Sequence, residues 1–433
     1  MTVSTGSHSV VVVGGGLAGL AAATYLARGG ARVTVLEKAA SAGGRAITDS
    51  PNGYALNRGA HALYTGGPAS AVLHELGVRY SYGVPSRVGA RDASGELHAF
   101  PASPAALMRT SLLNGAEKRD LLRVFLKTST LGPASVARQS VEDWIRAISS
   151  KPGVQQVLRA VARVALYNDM LDLVSAEPFV AGVQQTMRHP IHYIDGGWQT
   201  LVDGLVRAAT AAGVQVTTGA SVAEVQSDGV RLQHGDFIPA DAILIALPVQ
   251  DAVRVVPKQS APRLHAFADS AVPATIACLD IALDHLPQHR YPVVFDLEGP
   301  RFITAQSDFA RIAPPGGAVV HGLLQLDARH PIPAENQRGL LEAFLAEVQP
   351  AWSDHVVTQR FLPRMAACSA LPLASTNGLA GRPGSRSEEL DNVYFAGDWV
   401  GPRGFLIDAT LASARESARV ILRERTASAK IAA

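Results

Sequence analysis

Val11-Val12-Val13-Gly14-Gly15-Gly16-Leu17-Ala18-Gly19 ends an apolar run and opens a helix, and its reading decides the fold. Gly14 makes the tight turn out of the strand, Gly16 lets a pyrophosphate come close to the backbone, and Gly19 lets the helix pack against the strand. Leu17 and Ala18 open the helix, where unpaired N–H groups and the helix dipole favour phosphate. Gly29-Gly30 stops that helix. Arg32-Val33-Thr34-Val35-Leu36 alternates as a second strand, and Glu37 ends it, placed to accept hydrogen bonds from ribose hydroxyls, with Lys38 beside it. Strand, glycines, helix, stop, strand and acid together predict a protein that grips a dinucleotide.

The chain has 433 residues, long enough for more than one core, so two domains are expected. A formal net charge of +2 with 18% charged residues gives no basic field for nucleic acid. Cys278 and Cys368 lie far apart without a CxxC partner, so neither a disulfide framework nor a metal site is indicated. Met1 to Ser9 lacks a cationic segment, and glycines break the apolar run after it, which argues against a signal peptide or membrane span. A cytoplasmic protein is the expectation.

Two further segments bear on the nucleotide site. Ser41-Ala42-Gly43-Gly44-Arg45-Ala46-Ile47-Thr48 sets a glycine pair before an arginine able to neutralise pyrophosphate through a forked hydrogen-bond pair. Near the other end, Asn392-Val393-Tyr394-Phe395-Ala396-Gly397-Asp398-Trp399 reads as a short strand ending in Gly-Asp. After the turn Gly401-Pro402-Arg403-Gly404, a last helix is predicted from about Asp408, with Asp408 as its N-cap.

These features resemble the FAD-dependent flavoproteins that include amine oxidases, protoporphyrinogen oxidase and phytoene-type desaturases. The motifs that carry the resemblance are GGGLAG at Gly14 to Gly19, Glu37, GGRAIT at Gly43 to Thr48, Gly196-Gly197-Trp198-Gln199-Thr200-Leu201, and FAGD at Phe395 to Asp398. The resemblance implies FAD as cofactor. Gly14, Gly16, Gly19 and Glu37 would hold the adenosine diphosphate half, Arg45 the phosphates, Asp398 with Gly397 the ribityl chain, and Val222 the adenine. Gly43, Gly44, Gly59, Ala60, His61, Phe405 and Leu406 complete the implied contacts. The helix beginning near Asp408 would favour the anionic reduced flavin.

The implied architecture is α/β: a Rossmann-like FAD-binding domain assembled from residues 1–66, 195–256 and 388–433, with an inserted α+β substrate domain from 67–194 and 257–387. The first insertion reads as mainly helical, with Ser140 capping a helix at Val141. The second contains strand-like runs at Thr275 to Ile281 and Ala318 to Leu324, and Ala380 to Arg386 reads as an interdomain loop.

Redox chemistry would belong to the flavin. His61 is the titratable group that the resemblance brings near the ring, as an acid, a base or a structural histidine, and Phe405 occupies the place of an aromatic wall. Asn57, Arg58 and Tyr64 are further wall candidates, and His189, Ile191 and Tyr193 would share one face of a strand. Where amine oxidases place a lysine before the flavin N5, the best match is Ala277, and no second GxGxxG offers a nicotinamide site.

The leading expectation is therefore an oxidoreductase that removes two hydrogens from a largely apolar small molecule, in the manner of desaturases and protoporphyrinogen oxidase. Electrons would pass to oxygen or another acceptor. The alternatives are an amine or amino-acid oxidase, with Arg58, Arg163 or Arg188 anchoring a carboxylate, and a non-redox flavin isomerase. The basic run Arg109 to Lys127 reads as a solvated helical cover, with peripheral membrane contact as its alternative.

Overall fold

The computed structural model describes residues 8–431, so the Met1 to Ser9 reading falls almost wholly outside the described residues. Five parallel strands form the first sheet, in the order Gln215–Thr218, Arg32–Glu37, Ser9–Val13, Ala242–Ile245 and Val393–Phe395. Both faces are covered, which is why Val10 to Val13 form an unbroken apolar run. Val10 and Val12 face helices Leu17–Arg28, Gln199–Ala211 and Ile407–Ile431. Val11 and Val13 face a three-stranded antiparallel sheet, Val222–Gln226, Gly229–Leu232 and Phe237–Pro239, with helices Val249–Val255 and Pro262–Ser270.

Register carries the site. Val13 lies opposite both Leu36 and Ile245, and Ile245 opposite Phe395, so the strands end together, with Glu37 the last strand residue and Gly14, Ala246 and Ala396 beginning the loops. The crevice beyond the carboxyl ends of such strands is where open α/β sheets bind ligands.

The second sheet has seven strands in the order Val356–Cys368, Ala274–Leu283, Ala318–Gln325, Arg301–Ala305, Val293–Asp296, Val88–Arg91 and Leu97–Ala99. Its neighbours are antiparallel except for Val293–Asp296 beside Val88–Arg91. Helix Ala334–Val348 covers one face. The helices of the first insertion, from Gly115–Thr130 to Ala176–Arg188, build a separate core.

Several expectations change here. Helix Pro68–Glu75 packs in the core on one face of the parallel sheet, and Pro262–Ser270 packs in the core on the other face. Asp408 lies inside the first turn of the last helix and caps Pro68–Glu75 instead, with Oδ1 accepting the Ala69 N–H at 2.7 Å. His189 ends helix Ala176–Arg188, and the following strand begins only at Ile191. The basic run is two helices, since Arg109 ends Pro104–Arg109 and Asn114 starts Gly115–Thr130 through a capping box with Glu117. Ser140 caps Val141–Ile148 through the Asp143 N–H, as the sequence predicts.

Candidate functional site

One cavity of about 1010 Å³ runs from Gly14, Glu37 and Val222 at the end of the parallel sheet, past Arg45 and Asp398, to His61, Tyr64, Gly182 and Phe405. It reaches each of the motifs that carry the flavoprotein resemblance, from Gly14 to Ala18, Glu37 and Gly43 to Ile47 to Trp198 and Gly397-Asp398. Gly14 has φ +106°, which only glycine adopts without strain. A Cβ on Gly16 would meet no atom within 4 Å, so this glycine keeps space open in the cavity instead of serving packing. Gly19 has the opposite role: its Cβ would strike the Gly14 carbonyl, and it stays outside the cavity lining.

Glu37 is buried, with Oε2 accepting the Gly15 N–H at 2.7 Å and Oε1 the Ala39 N–H at 2.9 Å. Its carboxylate thereby braces the glycine turn as well as lining the cavity. Lys38 lines the same end and lies 3.7 Å from Asp251.

In the middle of the cavity, Arg45 Nη1 lies 2.8 Å from Asp398 Oδ2 and donates to the Ala367 carbonyl at 3.1 Å. Burial would raise the Asp398 pKa, but Arg45 and the Ser369 hydroxyl and N–H hold it below the ordinary carboxylate range. Gly43 and Gly44 have φ +131° and +58°, and Gly397 carries the strand end into Asp398. Gly44, Gly43 and Gly397 all line the cavity.

At the far end lie Ala60, His61, Tyr64, Tyr167, Phe405 and Leu406. His61 Nδ1 is 2.9 Å from the Gly59 carbonyl, and its ring stands edge-on to Trp198, with centroids 4.5 Å apart. Burial lowers its pKa to about 4, so the imidazole is neutral near pH 7. Gly59, a sequence candidate, falls outside the lining: its missing side chain makes room for the Met365 methyl. Asn57 also lies behind the wall, its Oδ1 accepting the Trp198 backbone N–H at 2.9 Å.

Two wall segments were not legible as such. Pro178, Ala181, Gly182 and Gln185 recur at helical spacing on Ala176–Arg188 and line this end, and a Cβ on Gly182 would meet nothing within 4 Å. Arg364 to Ala367, on the edge strand of the second sheet, also line the cavity. Of the three arginines weighed as anchors, Arg58 lines it, Arg163 is held by Asp169 at 2.6 Å, and Arg188 donates to the Ser129 carbonyl.

Ala277 is turned away, packing in the core beneath helix Ala334–Val348, while its neighbour Cys278 packs toward Ala60. Opposite this point the neighbouring strand Val356–Cys368 carries one extra residue, with Met365 paired to Ile276 and Leu362 to Cys278. Cys278, Asp280 and His321 converge, fully buried, with Asp280 Oδ1 2.9 Å from Cys278 Sγ and 2.7 Å from His321 Nδ1. Arg360 takes the other carboxylate oxygen at 2.7 Å, so the charge of Asp280 is balanced inside the protein.

The cavity fits FAD on grounds internal to the chain: the open space at Gly16, the glycine turn under a helix N-terminus, the acid at the second strand and a guanidinium midway. Residues 17–422 match the model of the family described as flavin containing amine oxidoreductase. The chain is 26% identical over 412 residues to a coproporphyrinogen III oxidase of Propionibacterium freudenreichii, covering 80% of this chain and 78% of that protein. It is 21% identical to a 4,4'-diapolycopen-4-al dehydrogenase of Metabacillus indicus, over 91% and 93% of the two chains. The solved structure of a putative protoporphyrinogen oxidase from Exiguobacterium superposes with a TM-score of 0.70 at 17% identity, covering 97% of this chain and 99% of that one. The chain therefore belongs to the flavin containing amine oxidoreductase family and is an FAD-dependent oxidoreductase.

Proposed function

We propose that the protein dehydrogenates a largely apolar small molecule, leaving a new carbon–carbon or carbon–heteroatom double bond. The observation that carries this reading is the far end of the cavity, where Ala60, Tyr64, Tyr167, Ala181, Gly182, Phe405 and Leu406 surround a single imidazole held neutral by burial. No lysine lines that end; Lys38 is at the other. Bound FAD supplies the acceptor for a hydride at N5.

In this reading Gly14, Gly16, Leu17, Ala18 and Glu37 hold the adenosine diphosphate, with Val222 and Lys38 at the adenine end. Gly43, Gly44, Arg45, Gly397 and Asp398 hold the phosphates and the ribityl chain. Ala60, His61, Phe405 and Leu406 face the ring. Tyr64, Tyr167 and Phe405 orient the substrate and exclude water, which converts a random encounter into a positioned one. His61 is a neutral hydrogen-bonding group in the wall.

The test is to mix the purified yellow protein anaerobically with porphyrinogens, polyenes and amines, and follow flavin bleaching. Bleaching by an uncharged polyene or a porphyrinogen supports the proposal, whereas bleaching by amines alone overturns it. Admitting oxygen afterwards distinguishes oxygen from another acceptor, because an oxidase recovers its colour promptly.

A second reading rests on Arg58 and Arg364, both on the cavity wall. They suit a substrate with an apolar body and a carboxylate, as an amino-acid oxidase would require. Hydrogen peroxide released one-for-one with amine consumption would favour it.

Membrane contact has its own support. Among the described residues no helix is long and apolar enough to cross a membrane. Met108, Leu122 and Leu126 are nevertheless 74%, 48% and 63% exposed, and Lys118 reaches the Met108 carbonyl. We propose that this face rests on anionic lipid. Flotation with phosphatidylserine vesicles, lost in Leu122→Ser/Leu126→Ser, is the expected result; equal flotation of wild type and variant would rule it out.

A further inference from the structure

Arg382 lies in the Ala380 to Arg386 stretch that the sequence marks as a loop, yet it is only 9% exposed. Its Nη1 donates to the Gly404 carbonyl at 3.0 Å, while Nε and Nη2 are buried without a partner. The acids whose charge reaches it are Asp398 and Glu177. Both are engaged elsewhere: Asp398 with Arg45 and Ser369, and Glu177 with the Leu379 N–H at 2.8 Å. The neighbouring Cys368 thiol stays neutral, pushed up to about 12 by burial.

A guanidinium cannot escape this position by losing its proton, and a buried cation without a counter-charge is costly. Its surroundings say where the counter-charge belongs. Gly404 begins the cavity-lining run Gly404 to Asp408 at the start of the last helix, and Leu379, Ala367 and Asp398 line the cavity around it. Arg382 therefore stands directly behind the wall of the FAD cavity, beside a helix N-terminus that itself favours negative charge.

We propose that Arg382 is an electrostatic positioning residue, a stored positive charge whose partner is the anionic flavin formed on reduction. Its side chain acts through the wall and through its hold on Gly404. This inference rests on FAD occupying the cavity and is independent of which substrate is oxidised.

The test compares wild-type holoenzyme with Arg382→Met and Arg382→Lys. Two quantities are read: the flavin midpoint potential by dye equilibration, and the melting temperature of the protein after FAD is stripped. Arg382→Met is expected to shift the oxidised–reduced equilibrium at least tenfold toward oxidised flavin, about 30 mV for two electrons. Its stripped form should melt no lower than wild type, because a buried unpaired charge is gone. Arg382→Lys keeps the charge and should stay near the wild-type potential.

An unchanged potential in Arg382→Met, with a lower melting point of the stripped protein, would show that Arg382 is only a strut for Gly404 and would overturn the proposal. A lysine variant with a potential as low as the methionine variant would overturn it too. If Arg382→Met does not fold, Arg382→Gln is read by the same criteria. A colourless wild-type protein would instead sink the FAD reading, so the two failures are distinct.

Discussion

Arg45 and Asp398, 353 positions apart in the chain by their numbering, meet as an ion pair of 2.8 Å in the middle of the cavity. The pair joins the segment after the second strand to the segment after the last strand of the parallel sheet. Asp398→Ala leaves Arg45 without its partner and frees the Ser369 N–H and hydroxyl. Hydrogen bonds to charged groups are worth about 1.5–3 kcal/mol. FAD release is therefore expected to become about tenfold to a hundredfold easier while the protein stays folded. A flavin-release titration checks this, with circular dichroism as the control.

Gly16 provides a sharper separation of folding from cofactor binding. Since a Cβ there would meet no protein atom within 4 Å, Gly16→Val is expected to fold and to be colourless. Gly19→Val serves as contrast: its side chain would collide with the Gly14 carbonyl, so it should lose stability outright. Absorbance at the flavin band and thermal melting together distinguish the two.

His61 carries a pH prediction with a definite sign. Its folded pKa, about 4, lies below the free value of 6.5, so the unfolded chain binds more protons between those values. The stability associated with a neutral His61 is complete above pH 6.5 and is lost as pH falls toward 4. His61→Phe should show a smaller loss of urea-unfolding stability between pH 7 and pH 4.5 than wild type. Above pH 6, where His61 is neutral, anaerobic flavin reduction should have no limb that disappears in His61→Phe.

Gly182 sits inside a helix, where glycine costs about 0.5–1 kcal/mol relative to alanine, and no packing contact demands it. Gly182→Ala should raise the melting temperature. Gly182→Leu fills the opening and is expected to slow reduction by bulky apolar donors at least tenfold while FAD content is unchanged. Stopped-flow bleaching measures the first, and the flavin-to-protein absorbance ratio the second.

The nucleotide half was legible because each of its demands is local. Tight turn, close approach and helix packing fall on Gly14, Gly16 and Gly19 within six residues, and apolar continuity in Val10 to Val13 reports a sheet covered on both faces. The far end was less legible because its walls depend on register and rotation. Strand Ala274–Leu283 runs in unbroken register against Ala318–Gln325, so simple alternation turns Ala277 toward helix Ala334–Val348 and Cys278 toward Ala60, and which face meets the cavity is set only by the sheet's packing. Arg364 to Ala367 reach the cavity only through pairing of the second sheet, which no local pattern announces. Asp408 looked like a cap for its own helix, and a carboxylate at a helix start does favour that role. It caps Pro68–Glu75 instead because the two helices pack together, and Gln185 holds its other oxygen at 3.1 Å.

That crossed cap has a consequence for biosynthesis. The ribosome makes Gly14 and Glu37 long before Asp398, Phe405 and the carboxylate that steadies Pro68–Glu75. A nascent polypeptide that has reached Glu37 thus presents half a cradle, and prosthetic-group capture is completed only after residue 408 has cleared the exit tunnel.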